Sequence, residues 1–145
     1  MTKPKRILFA TDFSDASTPA FQEAISMSRR EGSELVIAHA YQLPNVGIPS
    51  TPGLDDEWDR RIREDAETRL RALVEEAARE GVKASPLVFL GDPYEVLVEA
   101  AKERAVDLVI LGTHARRGLS RLLIGSVASR VISTAPCPVL TVRAA

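Results

Sequence analysis

The sequence predicts an α/β fold, a doubly wound parallel sheet of five strands and four helices, and three observations lead there. Five short apolar runs recur along the chain. Most are continuously apolar and not alternating, which suits strands covered on both faces. Segments of helical periodicity separate them, and strand–helix alternation carried through to a fifth strand has one economical solution, a parallel sheet wrapped through right-handed crossovers.

The first run is Ile7-Leu8-Phe9-Ala10. Thr18, a capping residue, then Pro19 in the first turn open a helix whose inward stripe is Phe21, Ala24, Ile25 and Ser28, with Gly32 closing it. Leu35-Val36-Ile37-Ala38 is the second strand. The longest helical pattern runs from Leu54 to Glu80, with Trp58, Ile62, Ala66, Leu70, Leu73 and Ala77 on one stripe and charges opposite. After Gly81, Leu87-Val88-Phe89-Leu90 is the third strand. Asp92-Pro93-Tyr94-Glu95 is a strong start signal: an Asp cap, proline at the first helical position, and Glu three residues on, reaching back to the cap amide. Its buried stripe is Tyr94, Leu97, Val98 and Ala101. Leu108-Val109-Ile110-Leu111 follows, then a helix from Gly125-Ser126 with Val127, Val131 and Ala135 inward, stopped by Pro136. Val139-Leu140-Thr141-Val142 is the last strand.

At 145 residues the chain has the size of one domain, expected to span 1–145, and folding at that length hides about 70% of the unfolded surface. Nineteen basic residues against twenty acidic ones give a net charge of −1, so no overall field draws the chain to nucleic acid or anionic lipid. No run approaches a membrane span. The basic start Met1 to Arg6 is followed by too short an apolar run for a secretory leader. One cysteine, Cys137 between Pro136 and Pro138, excludes an internal disulfide framework and a cysteine zinc finger; it is expected to be structural, and the cytoplasm is the expected compartment. The irregular stretch from Gln42 to Gly53 reads equally as a mobile loop or a cover over a site.

In open α/β sheets ligands bind beyond the carboxyl ends of the strands, at the point where the strand order reverses. Two segments qualify: Thr11-Asp12-Phe13-Ser14-Asp15 after the first strand, and Gly112 to Ser120 with the following Arg121 to Ser126 after the fourth. Glycines can turn backbone N–H groups toward one point, and a helix start at Gly125-Ser126 adds unpaired amides and partial positive charge, a suitable seat for phosphate. Ser126 could donate to a phosphate oxygen, with Arg116, Arg117 and Arg121 nearby. Asp12 could accept from a ribose or hold magnesium through water, and the region around His39-Ala40 could wall an adenine slot. Each feature has a plainer reading: a simple helix cap at Gly125-Ser126, solvated arginines, and Asp12 capping the turn into the first helix. The better-known phosphate loops are absent, as are a dinucleotide fingerprint, a direct metal site and any catalytic set.

These residues resemble the universal stress protein family in its single-domain form. Arg6 to Ser14 resembles the opening strand and its Asp, Ile37-Ala38-His39-Ala40 the end of the second strand, and Gly112 to Arg143 the closing signature. In the nucleotide-binding branch that signature reads Gly, two residues, Gly, nine residues, Gly, then Ser or Thr. Gly112, Gly125 and Ser126 match it, and Ala115 stands at the second glycine. The resemblance implies a Rossmann-like sheet of order 3-2-1-4-5 in a stress-associated homodimer, many relatives binding ATP, with magnesium or another divalent ion. By match, Ala10, Thr11 and Asp12 would meet the nucleoside, Ala40 the adenine, and Gly112, Thr113, His114, Ala115, Arg116, Arg117, Gly118, Gly125, Ser126 and Val127 the phosphates. If position 115 requires positive φ, its alanine costs about 1 kcal/mol, which predicts weaker binding rather than none. The alternatives are a dimeric scaffold or client-binding protein with a vestigial pocket, paired through strand 138–143, and a slow ATP hydrolase without an evident base for water.

Overall fold

A computed structural model of the chain describes residues 2–42, 54–113 and 126–144. Strand β1 (Arg6–Ala10) leads through a single 3-10 turn (Asp15–Ser17) into α1 (Thr18–Glu31). Then come β2 (Glu34–Tyr41), α2 (Leu54–Arg79), β3 (Ala84–Leu90), α3 (Pro93–Glu103), β4 (Leu108–Thr113), α4 (Ser126–Thr134) and β5 (Val139–Arg143). All strand pairs are parallel and the order is β3-β2-β1-β4-β5. The five strands, four helices and strand order expected from the sequence are those observed.

Alternate side chains of each strand divide between two cores, although the strands themselves are apolar throughout. Ile7, Phe9, Leu35, Ile37, Leu108 and Ile110 face α1 and α2, packing on Phe21, Ala24, Ile25, Leu70 and Ala77. Leu8, Val36, Ala38, Val109 and Leu111 face α3 and α4, packing on Leu97, Val98, Ala101 and Val131. Burial on both faces is confined to the inner strands. The outer strands β3 and β5 are mostly half-buried or exposed, and Pro86 lies in β3, at the sheet edge where a missing N–H is tolerated.

Local signals met different fates. Gly32 adopts φ +69 after α1, and its N–H and that of Ser33 close onto Ser28 O. Thr18 is the first helical residue and not the cap; the cap is Ser17, whose hydroxyl donates back to Ser14 O (2.8 Å) instead of capping forward. Asp92 caps α3, accepting from the N–H groups of Tyr94 (2.9 Å) and Glu95 (3.4 Å), while the reciprocal Glu95 bond is not formed. Ser28 is buried and its hydroxyl finds no partner among the described residues.

Trp58 does not join the buried stripe of α2; it is 56% exposed, whereas Ala66, Leu70 and Ala77 are buried. The reason is length. Twenty-six helical residues span about 39 Å, well beyond the roughly 26 Å of an eight-residue strand, so one end of α2 overhangs the sheet. Because α2 runs back from the carboxyl end of β2 to the start of β3, the overhang is its first turns.

Candidate functional site

In a parallel sheet all carboxyl ends lie on one edge, and here the chain leaves β1 toward β2 on one side while β4 lies on the other. The strand order therefore reverses at β1 and β4. Ala10 is flanked in register by Ala38 and Leu111, so Thr11 and Asp12 emerge between β2 and β4.

A compact polar turn fixes these two residues. Thr11 is buried, and its N–H extends the sheet ladder by donating to Ala38 O (2.9 Å). Its hydroxyl accepts from Phe13 N–H (3.0 Å) and pairs with Ser17 Oγ (3.1 Å). Asp12 is exposed, and its Oδ1 accepts from both the N–H (2.9 Å) and the hydroxyl (2.5 Å) of Ser14. The plain turn-capping reading of Asp12 is thus realised, and it holds the carboxylate in one orientation at the edge.

Phe13 has φ +64, a conformation that a bulky side chain rarely adopts. Its ring stacks on His39 with centroids 4.3 Å apart, and the Arg69 guanidinium lies 5.4 Å from its centroid. His39 Nδ1 lies 2.8 Å from Thr11 O; since a carbonyl only accepts, Nδ1 carries the proton. One step further along β2, the buried Tyr41 hydroxyl donates to Asp59 Oδ1 (2.6 Å), tying the overhang of α2 to the sheet. Burial, then the Asp59 carboxylate, push the Tyr41 hydroxyl above its ordinary pKa, with Arg63 opposing. By the alternation along β2, His39 points to the α1 and α2 side and Ala40 to the other, so the two residues expected to wall one slot face opposite sides of the sheet.

Gly112 has a packing reason to be glycine: a Cβ there would stand 3.2 Å from Ala16 O and 3.3 Å from Ser17 Cα. Its bareness lets the 3-10 turn lie against the end of β4. Thr113 is the last residue of β4, half-buried and in register with Arg143. Ser126 opens α4 on this same edge, and Val127 packs against the core beneath α3 and α4. The structure thus brings Ala10, Thr11, Asp12, Gly112, Thr113 and the start of α4 to one edge, with Ala40 one strand away. His114, Ala115, Arg116, Arg117, Gly118, Arg121 and Gly125 lie outside the described residues, as does the stretch 43–53.

The sequence reading missed the Phe13–His39–Arg69 stack and the Tyr41–Asp59 tie. The available signal was a phenylalanine amid the turn residues Asp12 and Ser14, where a solvated loop would favour a polar residue. Cys137 is half-buried, and burial, then the Asp107 charge, raise its thiol pKa, opposed by a backbone hydrogen bond at Val109, so it lacks the thiolate character of a nucleophile. Among the described residues no group of three His, Cys, Asp or Glu is placed to hold a metal, and no helix is long and apolar enough to cross a membrane.

A parallel α/β sheet whose polar residues gather where the strand order reverses defines a doubly wound α/β protein with a candidate ligand site at that edge. Comparison with known proteins makes the class specific. The family model for the universal stress protein family matches residues 3–143, and the chain belongs to that family. It is 34% identical to universal stress protein MJ0531 of Methanocaldococcus jannaschii over 96% of this chain and 82% of that one. Among solved structures it is similar to MJ0577, a universal stress protein of the same organism, with a TM-score of 0.83 and 28% identity over 96% and 95% of the two chains. A universal stress protein in complex with cAMP superposes with a TM-score of 0.71 at 25% identity, over 99% and 100% of the two chains.

Proposed function

We propose that the chain binds an adenine nucleotide, ATP accompanied by magnesium, on the edge between β1 and β4, and that it works as a nucleotide-responsive regulatory homodimer in the cytoplasm. The observation that carries the reading is the Thr11-Asp12 turn: a carboxylate oriented by two Ser14 bonds, at the strand-order reversal, beside a β4 end that glycine keeps bare. The cAMP complex of a similar protein supports an adenine ligand. Asp12 suits a hard cation approached through its own water shell, and without a direct metal cluster among the described residues the ion would arrive with the nucleotide. Ala10, Thr11 and Asp12 would contact the nucleoside, Ala40 the base, and Gly112 to Gly118 with Gly125, Ser126 and Val127 the phosphates. No described side chain is needed as a base for this role, because binding and ordering require none.

Titration calorimetry of ATP with magnesium into nucleotide-stripped protein tests it. Saturable heat is expected, Ala115→Gly should tighten binding by up to about tenfold, and Gly125→Asp should remove it. Absence of both heat and a melting shift at millimolar ATP overturns the reading. Ala115 in place of the signature glycine favours a second reading in that case, a dimeric scaffold with a vestigial pocket.

A further inference from the structure

The opposite edge of the sheet, where strands begin, carries a cleft of about 200 Å³. Its walls come from the starts of β1, β2 and β3 and from the residue after α3. Arg6, Lys83 and Arg104 supply three positive groups, against one carboxylate, Glu34. That carboxylate is already shared: Oε2 is 3.5 Å from Arg6 and Oε1 is 3.4 Å from Lys83. The Arg6 guanidinium also donates to the Arg104 carbonyl, which holds it against the end of α3. Neither the Arg104 guanidinium nor the Ser85 hydroxyl makes a hydrogen bond or ion pair among the described residues. The cleft therefore offers a net of two positive charges and unused donors of two kinds, with its only acidic side chain engaged. Val36 borders the cleft but is almost wholly buried, and the side chains of Leu35 and Ala84 turn into the core on the other face, so the lining is polar.

We propose that this cleft binds the phosphoryl group of a phosphate or phosphate monoester, held by Arg104, Lys83 and Ser85. A guanidinium matches two oxygens of a tetrahedral oxyanion at once, a hydroxyl satisfies the third, and an ammonium adds charge without demanding geometry. A dianion balances the lining charge. A carboxylic acid leaves half of it uncompensated. The cleft lies across the sheet from the edge between β1 and β4 and is independent of the nucleotide reading.

Amide chemical-shift titration of the full-length protein with inorganic phosphate and with phenyl phosphate, at constant ionic strength and above about pH 7, tests the proposal. The amides of Glu34, Ser85 and Arg104 should shift and saturate at roughly millimolar ligand, with inorganic phosphate and phenyl phosphate binding about equally because the polar lining offers the ring little to cover. Arg104→Gln should weaken binding about tenfold, as expected for a lost charge-assisted pair. Glu34→Gln should tighten it by releasing Arg6 and Lys83. Both positions are exposed, so neither change threatens folding. Equal shifts with sodium chloride, an Arg104→Gln variant that binds as before, or shifts confined to Thr11, Asp12, Gly112 and Thr113 would each overturn the proposal.

Discussion

Holding a phenylalanine in a left-handed turn costs about 1–2 kcal/mol, and at Phe13 contacts of the ring with His39 and Arg69 offset it. The strain is local to the residue that follows Asp12, so the aromatic contact and the orientation of the carboxylate stand or fall together. Tyr41 acts similarly on α2. Its pKa is raised in the folded chain, so its contribution is complete below the ordinary tyrosine value near 10 and declines as pH climbs from there through the folded value. Tyr41→Phe should lower stability by about 1 kcal/mol at neutral pH, and the gap from the parent should narrow at about pH 11; urea midpoints at the two pH values check it. Gly112→Ala should cost about 1–2 kcal/mol, since the atoms its methyl meets are backbone and cannot swing aside. The sequence singled out Gly112 as a phosphate residue, and the packing reason was invisible because the 3-10 turn that presses on it is distant along the chain. The positive φ of Phe13 was equally illegible: its place amid turn residues hinted at a contact, but nothing in composition or periodicity marks a bulky residue for that backbone conformation.

Elements were readable where their causes are local. Asp92, Pro93 and the spacing of Leu97, Val98 and Ala101 lie within ten residues, and the helix begins and buries itself as they indicate. Asp92→Ala should destabilise the protein by about 1 kcal/mol by exposing two uncapped N–H groups, measurable by chemical denaturation. Helical periodicity places Trp58 in line with Leu70 but cannot say that the sheet ends first. Nor do the apolar residues of β3 declare that it is an outer strand; its earlier half, Ala84 to Pro86, escaped notice because a proline and a serine interrupt the run. The alternation of cores behind one continuous apolar strand is likewise a property of pleating, shared by Leu8 and Phe9 yet unmarked by any difference in their chemistry.

At the scale of the whole molecule the topology was the most legible feature, because alternation and crossover handedness leave few arrangements, and the family resemblance named the order directly. The proposed pairing of two copies through β5 has a specific geometry. Val109 N–H donates to Pro138 O (3.0 Å) while Val139 is the register partner of Val109, so the N–H of Val139 points away from β4 toward the open side. Val139→Pro should therefore keep the fold and yield a monomer in light scattering; a variant that remains dimeric removes this mode of assembly. The candidate site was legible in its β1 half and less so in its details, since which way His39 and Ala40 face depends on strand register.

The overhang of α2 carries the chain's lone indole into water, and optical experiments inherit the result. Tryptophan emission in the native protein should already resemble that of a solvated fluorophore, so global denaturation will change its wavelength little and is better followed by circular dichroism in the helical band. A blue shift, by contrast, would report that something has covered the first turns of α2, a built-in signal for whatever docks beside the carboxyl edge of the sheet.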